Sequence, residues 1–217
     1  MSAPYRPLDA YGPEGFARMD DPNENWHRSV RERLFAQRVA FLWGWLDDTT
    51  VNEVAAQLMT LDATGDEPVH LHLDSPGGTL GAALSLIDVI DLLGVELHAT
   101  CVGQLVGPPV GVLAVAHQRR CTPHARFRLR DPEVEFQGPA RDLEAFAAAH
   151  NDQLHRFRAR LADAVRQPAE RIARDMDAGR FLDADQALEY GLVDDICARP
   201  AAVYPLYPRP LGFRPQR

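Results

Sequence analysis

The sequence predicts an α/β fold built on a parallel sheet, and three observations carry that expectation. Short β-prone runs alternate with segments of three-four apolar spacing, threonines stand where the helices should begin, and a long single-striped helix closes the series. Strands are expected at 38–43 (RVAFLW) and 69–74 (VHLHLD), and helices at 49–63 and 79–94, each with threonine at its cap. A strand over 95–103 (VELHATCVG), a helix over 107–116 and a strand over 125–130 (ARFRLR) continue the rhythm, which suits right-handed crossovers. From Pro139 to Arg166 apolar residues recur at Leu143, Phe146, Ala147, His150, Leu154, Phe157, Leu161 and Val165, for about seven turns. A helix striped over that length needs a partner, and the simplest one is a second copy.

The domain expected from this pattern covers 26–198. Residues 1–25 hold four prolines and little periodicity, so they read as a flexible arm. Residues 199–217 (RPAAVYPLYPRPLGFRPQR) have proline too often for helix or central strand and read as an extended polyproline-type tail. Partial disorder is the plain reading of both ends. Tyr204, Leu206, Tyr207 and Phe213 nevertheless make the tail too apolar for a free linker and leave room for docking on a neighbour.

Composition narrows the function classes. With 217 residues, 46% of them apolar, the chain can bury a full core. A net charge of −8 argues against nucleic acid as a partner. Cys101, Cys121 and Cys197 form no C-x-x-C pair and fit a reducing compartment. No apolar run of about 18 residues suggests a membrane span, and the start lacks signal-peptide order, so a cytoplasmic location is expected, with no membrane partner. All 23 basic residues are arginine, which removes lysine as base or Schiff-base nucleophile. Neither a metal nor an organic cofactor is called for.

The most informative stretch is LHLDSPGGTLGAALSLIDVI: a strand, a Ser-Pro-Gly-Gly turn, then a helix from about Thr79. Gly77 and Gly78 let the backbone pass close to a ligand with its N–H groups bare. Alone, such a turn is weak. Joined to CVGQ at 101–104, FQGPARDLEA at 136–145 and RDMDAGRFLDADQALEYGLVDDI at 174–196, it resembles the ClpP family, barrel-forming serine peptidases that work with AAA+ unfoldases. The likeness runs from 28 to 197. It implies a ClpP/crotonase-type β-α superhelix with a long handle helix, heptameric rings, and two rings stacked through the handles around a chamber.

Serine hydrolysis needs a hydroxyl, an imidazole, a carboxylate and two N–H donors for the oxyanion. The resemblance places the family's serine at Gly107, its histidine at Arg130 and its aspartate at Gly179, so no catalytic residue is expected here. Gly77 and Gly78 match the first half of the oxyanion turn. Its second donor would be the N–H of Pro108, which has none, and a slip of one residue meets Pro109. Arg130 is expected to plug the vacated site by pairing with Asp131, Asp177 or Asp183, or else to bind a substrate carboxylate.

Other side chains have plainer readings. Cys101 is taken as a buried structural thiol, His117 and His124 as solvated, and Ser75 and Ser85 as capping or packing residues. Asp74 stands where the family often has asparagine and would repel a developing oxyanion. His70 and His72 share one side of their strand where the family has tyrosines lining the unfoldase cleft. Either they are ordinary strand residues or they weaken that cleft, the more so once protonated below about pH 6.5. The expected function is a catalytically inactive subunit of a Clp-type barrel, assembling with itself or an active ClpP paralogue and binding an unfoldase weakly at most. The alternative is an enzyme of another class working on an acyl group in the same groove, with Gly78 and Gly107 as donors.

Overall fold

The computed structural model describes residues 30–197, except 133 and 135; the arm at 1–25 and the tail at 199–217 lie outside the described residues. A helical segment at 30–35 (α1) leads into β1 (Val39–Trp43), followed by α2 (Asp48–Ala63), β2 (Val69–Ser75), α3 (Leu80–Asp91) and β3 (Leu97–Val106). Then come α4 (Pro109–Ala114), β4 (Gln118–Cys121), β5 (Arg126–Arg128), α5 (Leu143–Val165), α6 (Ala169–Asp177), β6 (Phe181–Leu182), α7 (Ala184–Tyr190) and β7 (Asp195–Ile196). The main path of the sheet runs β1-β2-β3-β4-β7 and is parallel throughout.

The expected α/β fold is therefore present, with local differences that have physical causes. Asp47, rather than a threonine, caps α2: its carboxylate accepts the Thr50 N–H at 2.9 Å. Thr79 caps α3 as expected. β3 runs on to Val106 because β2 and β3 slip register, Leu73 pairing Cys101 but Ser75 pairing Leu105. At the slip the Asp74 carboxylate accepts the Gln104 N–H at 2.9 Å, satisfying a donor that the ladder leaves over. β3 thus serves two neighbours, β4 through its first half and β5 through its second. One pairing is not parallel: β6 returns antiparallel to β5 after the turn at Gly179. The long helix starts as a 3₁₀ turn, Ala140–Asp142, and ends at Arg166 in the left-handed region, φ 54°.

Helices α2, α3, α4 and α5 pack side by side over one face of the sheet, where Leu42, Leu71, Leu73, Leu97, Ala99 and Cys101 are fully buried. The opposite face carries Phe41, Trp43, His70, His72, His98, Thr100 and Val102, half-buried or exposed. A parallel sheet is usually covered on both sides. Among the described residues this one is covered on one.

α5 shows the same imbalance along its length. Phe157, Leu161, Ala162 and Val165 are buried against the head, whereas no residue from 143 to 156 is. The Phe157 ring fits against α4 only because residue 111 is glycine: a Cβ there would stand 2.4 Å from the ring. Beyond that anchor, Leu143 and Ala147 are exposed, and Phe146 meets Phe136, the ring centroids 4.9 Å apart.

Candidate functional site

The turn after β2 is held by its own chain. Ser75 is buried and its hydroxyl donates to the Gly77 carbonyl at 2.8 Å; the Leu46 N–H donates to the same oxygen at 3.0 Å, and the Thr79 N–H to the Leu46 carbonyl at 2.9 Å. A Cβ at Gly78 would lie 2.5 Å from the Leu46 Cβ, and one at Gly77 would lie 2.4 Å from the Trp45 ring. What these glycines demonstrably admit is the loop at 45–46, a packing neighbour, where the sequence suggested a ligand.

At the start of α4 the backbone donors are either used or absent. Gly107 follows β3 at φ 65°, and its N–H donates to the Arg128 carbonyl at 2.9 Å. This corrects the expectation that the Gly107 N–H stays available. Pro108 and Pro109 have no N–H to offer. The next two donors are used internally, Val110 to the Gly107 carbonyl and Gly111 to the Pro108 carbonyl, each at 3.0 Å. Proline in the first helical turn keeps the helix while leaving its end without the bare N–H groups that bind anions elsewhere.

The three positions singled out by the resemblance do converge. A Cβ on Gly107 would sit 3.3 Å from the Arg130 carbonyl, and the Leu129 N–H donates at 2.8 Å to the carbonyl of Arg180, next to Gly179. Gly179, at φ 65°, is covered by Arg128: the guanidinium Nε donates to its carbonyl at 3.3 Å, while the same side chain lies 4.6 Å from the Phe181 ring centroid. A Cβ on Gly179 would meet that guanidinium at 3.2 Å.

Each of the carboxylates proposed as partners of Arg130 makes a contact of its own. Arg158, reaching from α5, is 14% exposed and binds both Asp131 and Asp177. Asp183 caps α7, accepting the Gln186 N–H at 2.8 Å in a full capping box. Burial pushes the Asp131 carboxyl upward in pKa, whereas a hydrogen bond from Asp131, then Arg158, holds Asp177 down. Of the two carboxylates on Arg158, Asp131 therefore takes up a proton first. The sequence reading missed Arg158 because Arg156, Arg158 and Arg160 alternate along one helix and only packing separates them.

Cys101 is buried on β3 and its thiol is pushed up to about 12, by burial first; Cys121 is pushed up to about 11 for the same reason. A thiol so disfavoured as thiolate is no nucleophile near neutrality. Alkylation with iodoacetamide at pH 8 should modify Cys101 and Cys121 only after unfolding; labelling of Cys101 in the native protein, read by mass spectrometry, would contradict this. His117 is not merely solvated: its Nδ1 accepts the Leu97 N–H at 3.1 Å, tying the exit of α4 to β3. His124 is exposed in the turn between β4 and β5.

His70 and His72 do share the open face of β2. Burial lowers the pKa of both, and for His70 the neighbouring His98, 5.3 Å away between ring centroids, then His72, Arg120 and Arg38 lower it further. His72 meets Phe41 edge to face at 5.6 Å, and His98 faces Glu96 at 3.2 Å. The folded state thus binds these protons less readily than the unfolded chain, whose histidines titrate near ~6.5. Stability should fall as pH drops below about 6.5 toward the lower folded values. In the double variant His70→Tyr/His72→Tyr, denaturant titrations across that window should give a flatter slope; an unchanged slope would discount these residues.

Among the described residues no three His, Cys, Asp or Glu side chains are grouped to hold a metal ion, and no helix is long and apolar enough to cross a membrane. A family model described as Clp protease matches residues 22–200.

Proposed function

Since this chain belongs to the Clp protease family, we propose that it is a non-hydrolysing ClpP-like subunit, a structural or regulatory component of a cytoplasmic Clp-type barrel. Its domain covers 26–198, and it assembles with itself or with an active, serine-bearing ClpP paralogue. The observation that carries this reading is the start of α4, where Gly107 has no attacking atom, Pro108 and Pro109 have no donor, and the surrounding N–H groups are engaged. Arg130 in the histidine position and Gly179 in the aspartate position agree with it. A role in assembly is supported by the unburied first half of α5 and the open face of the sheet, two surfaces that a neighbouring subunit would cover. His70 and His72 make the unfoldase cleft of this subunit less apolar, so docking there is weak.

Native mass spectrometry of the complex from its own cell tests the assignment: rings of this chain alone, or mixed with a serine-bearing paralogue, are expected. The exposed stripe supplies a controlled variant. Leu143→Glu/Ala147→Glu should shift the complex to smaller species; rings that survive it unchanged would show that α5 does not hold them together.

A further inference from the structure

A cavity of about 670 Å³ lies where α4 ends, β4 and β7 begin and α5 makes its last turns. The proposed function does not use it. Its wall holds Arg119, Arg120, Arg160 and Arg166 against Asp194 and Asp195, a surplus of two positive charges in a chain whose net charge is −8. A concave site lined by one sign of charge gathers the opposite ion, and the volume falls within the range of small-ligand sites.

We propose that this cavity binds a small phosphate monoester. Arg119 forms the fixed part of the site. Its side chain is 15% exposed; Nε donates to Asp194 at 3.1 Å, Nη2 to the other oxygen of that carboxylate, and Nη1 to the carbonyls of Ala164 at 3.2 Å and Gly191 at 2.9 Å. Four of its five N–H groups are thus engaged, and the Ala164 carbonyl at the end of α5, which would repel an anion, is covered. Arg120 and Asp195 are register partners on β4 and β7 and offset each other's charge.

The cations open to a ligand are the two on α5. Arg160 is 40% exposed and reaches Asp91 at 2.6 Å through Nη2, its one hydrogen bond among the described residues, so most of its fork is available. Arg166 is exposed, and among the described residues its guanidinium makes no hydrogen bond or ion pair. It also sits at φ 54°, where a helix normally ends on glycine. A side chain held there against the backbone's preference marks a place to look for a function. A phosphate monoester carries a charge of about −1.5 to −2 near neutrality, which matches the surplus. Its oxygens, on one centre, offer a fork to each of two arginines, as a single carboxylate does not. Ala114, Val115 and Ala116 leave a small-residue wall for the organic part.

The test is thermal unfolding of the full chain in its assembled form, at fixed ionic strength, with phenyl phosphate as the probe. The melting temperature should climb with probe concentration, as binding to the folded state requires, and half-saturation should come at a lower concentration than with inorganic phosphate. Arg166→Gly suits the backbone, so the melting temperature without probe should hold or rise, while the half-saturating concentration rises about tenfold or more, the equivalent of one lost charge-assisted hydrogen bond. Arg160→Gln should act in the same direction. Arg174→Gln, exposed on α6 outside the cavity, should leave the response unchanged. No climb with phenyl phosphate overturns the proposal, as does a full response in Arg166→Gly. An equal loss in Arg174→Gln would mean diffuse attraction, inorganic phosphate binding as tightly would mean a bare-ion site, and succinate binding as tightly would mean a carboxylate site; each of these overturns it too.

Discussion

Restoring the three side chains of a serine peptidase to this protein, Gly107→Ser with Arg130→His and Gly179→Asp, should give no measurable peptidase activity while Pro108 and Pro109 remain. A triad replaces about 10⁶ in turnover where the rest of the machinery is present. Here the rest is missing as well. The second oxyanion donor would have to come from residue 108, and removing one such donor costs about 10² to 10³ on its own. The backbone opposes the graft twice more. Gly107 and Gly179 both sit at φ 65°, where a residue with a Cβ is strained by roughly 1–2 kcal/mol. An aspartate at 179 would also meet the Arg128 guanidinium before any imidazole, since its Cβ alone stands 3.2 Å from that group. Adding Pro108→Ala and Pro109→Ala to the triple variant should raise turnover of a fluorogenic peptide by about 10² or more. Hydrolysis by the unaltered, isolated chain, abolished by changing a side chain near Gly107, would overturn the reading of an inert subunit.

The sequence was legible wherever one local rule decided the outcome. The alternation on VHLHLD put Leu71 and Leu73 in the core with His70 and His72 opposite, Thr79 capped its helix, and the three-four spacing from 143 to 165 was helical. The absence of N–H groups at Pro108 and Pro109 could be read from the sequence alone, because it is covalent. What stayed hidden depended on contacts distant in sequence. No pattern shows that the Gly107 N–H is taken by a carbonyl 21 residues away, that Arg158 collects both Asp131 and Asp177, or that the Gly-Gly turn is shaped by Trp45 and Leu46. The register slip beside Asp74 is of the same kind: a carboxylate that looked electrostatically awkward for acyl transfer serves as a hydrogen-bond acceptor for Gln104.

The largest stability effect expected of a single side chain is at Phe157. Phe157→Ala should cost ~3–5 kcal/mol, since the ring is 1% exposed and fills the space above Gly111 between α4 and α5. In a domain of this size that lowers the melting temperature by on the order of 10 °C. Gly111→Val attacks the same contact from the other side by overpacking and should cost ~1–3 kcal/mol. Leu143→Glu, 49% exposed on the same helix, should stay within about 0.5 kcal/mol for the isolated chain. The contrast matters more than either number, because one helix is then buried against the head at its C-terminal half while, among the described residues, no residue of its first half is buried. A helix stabilised mainly by tertiary packing gains little from a stripe left unburied, so Leu143 and Ala147 should contribute to the assembly and Phe157 to the fold. Equal losses from Phe157→Ala and Leu143→Glu in thermal unfolding of the isolated chain would remove that division, and with it the physical reason for expecting a neighbour along α5.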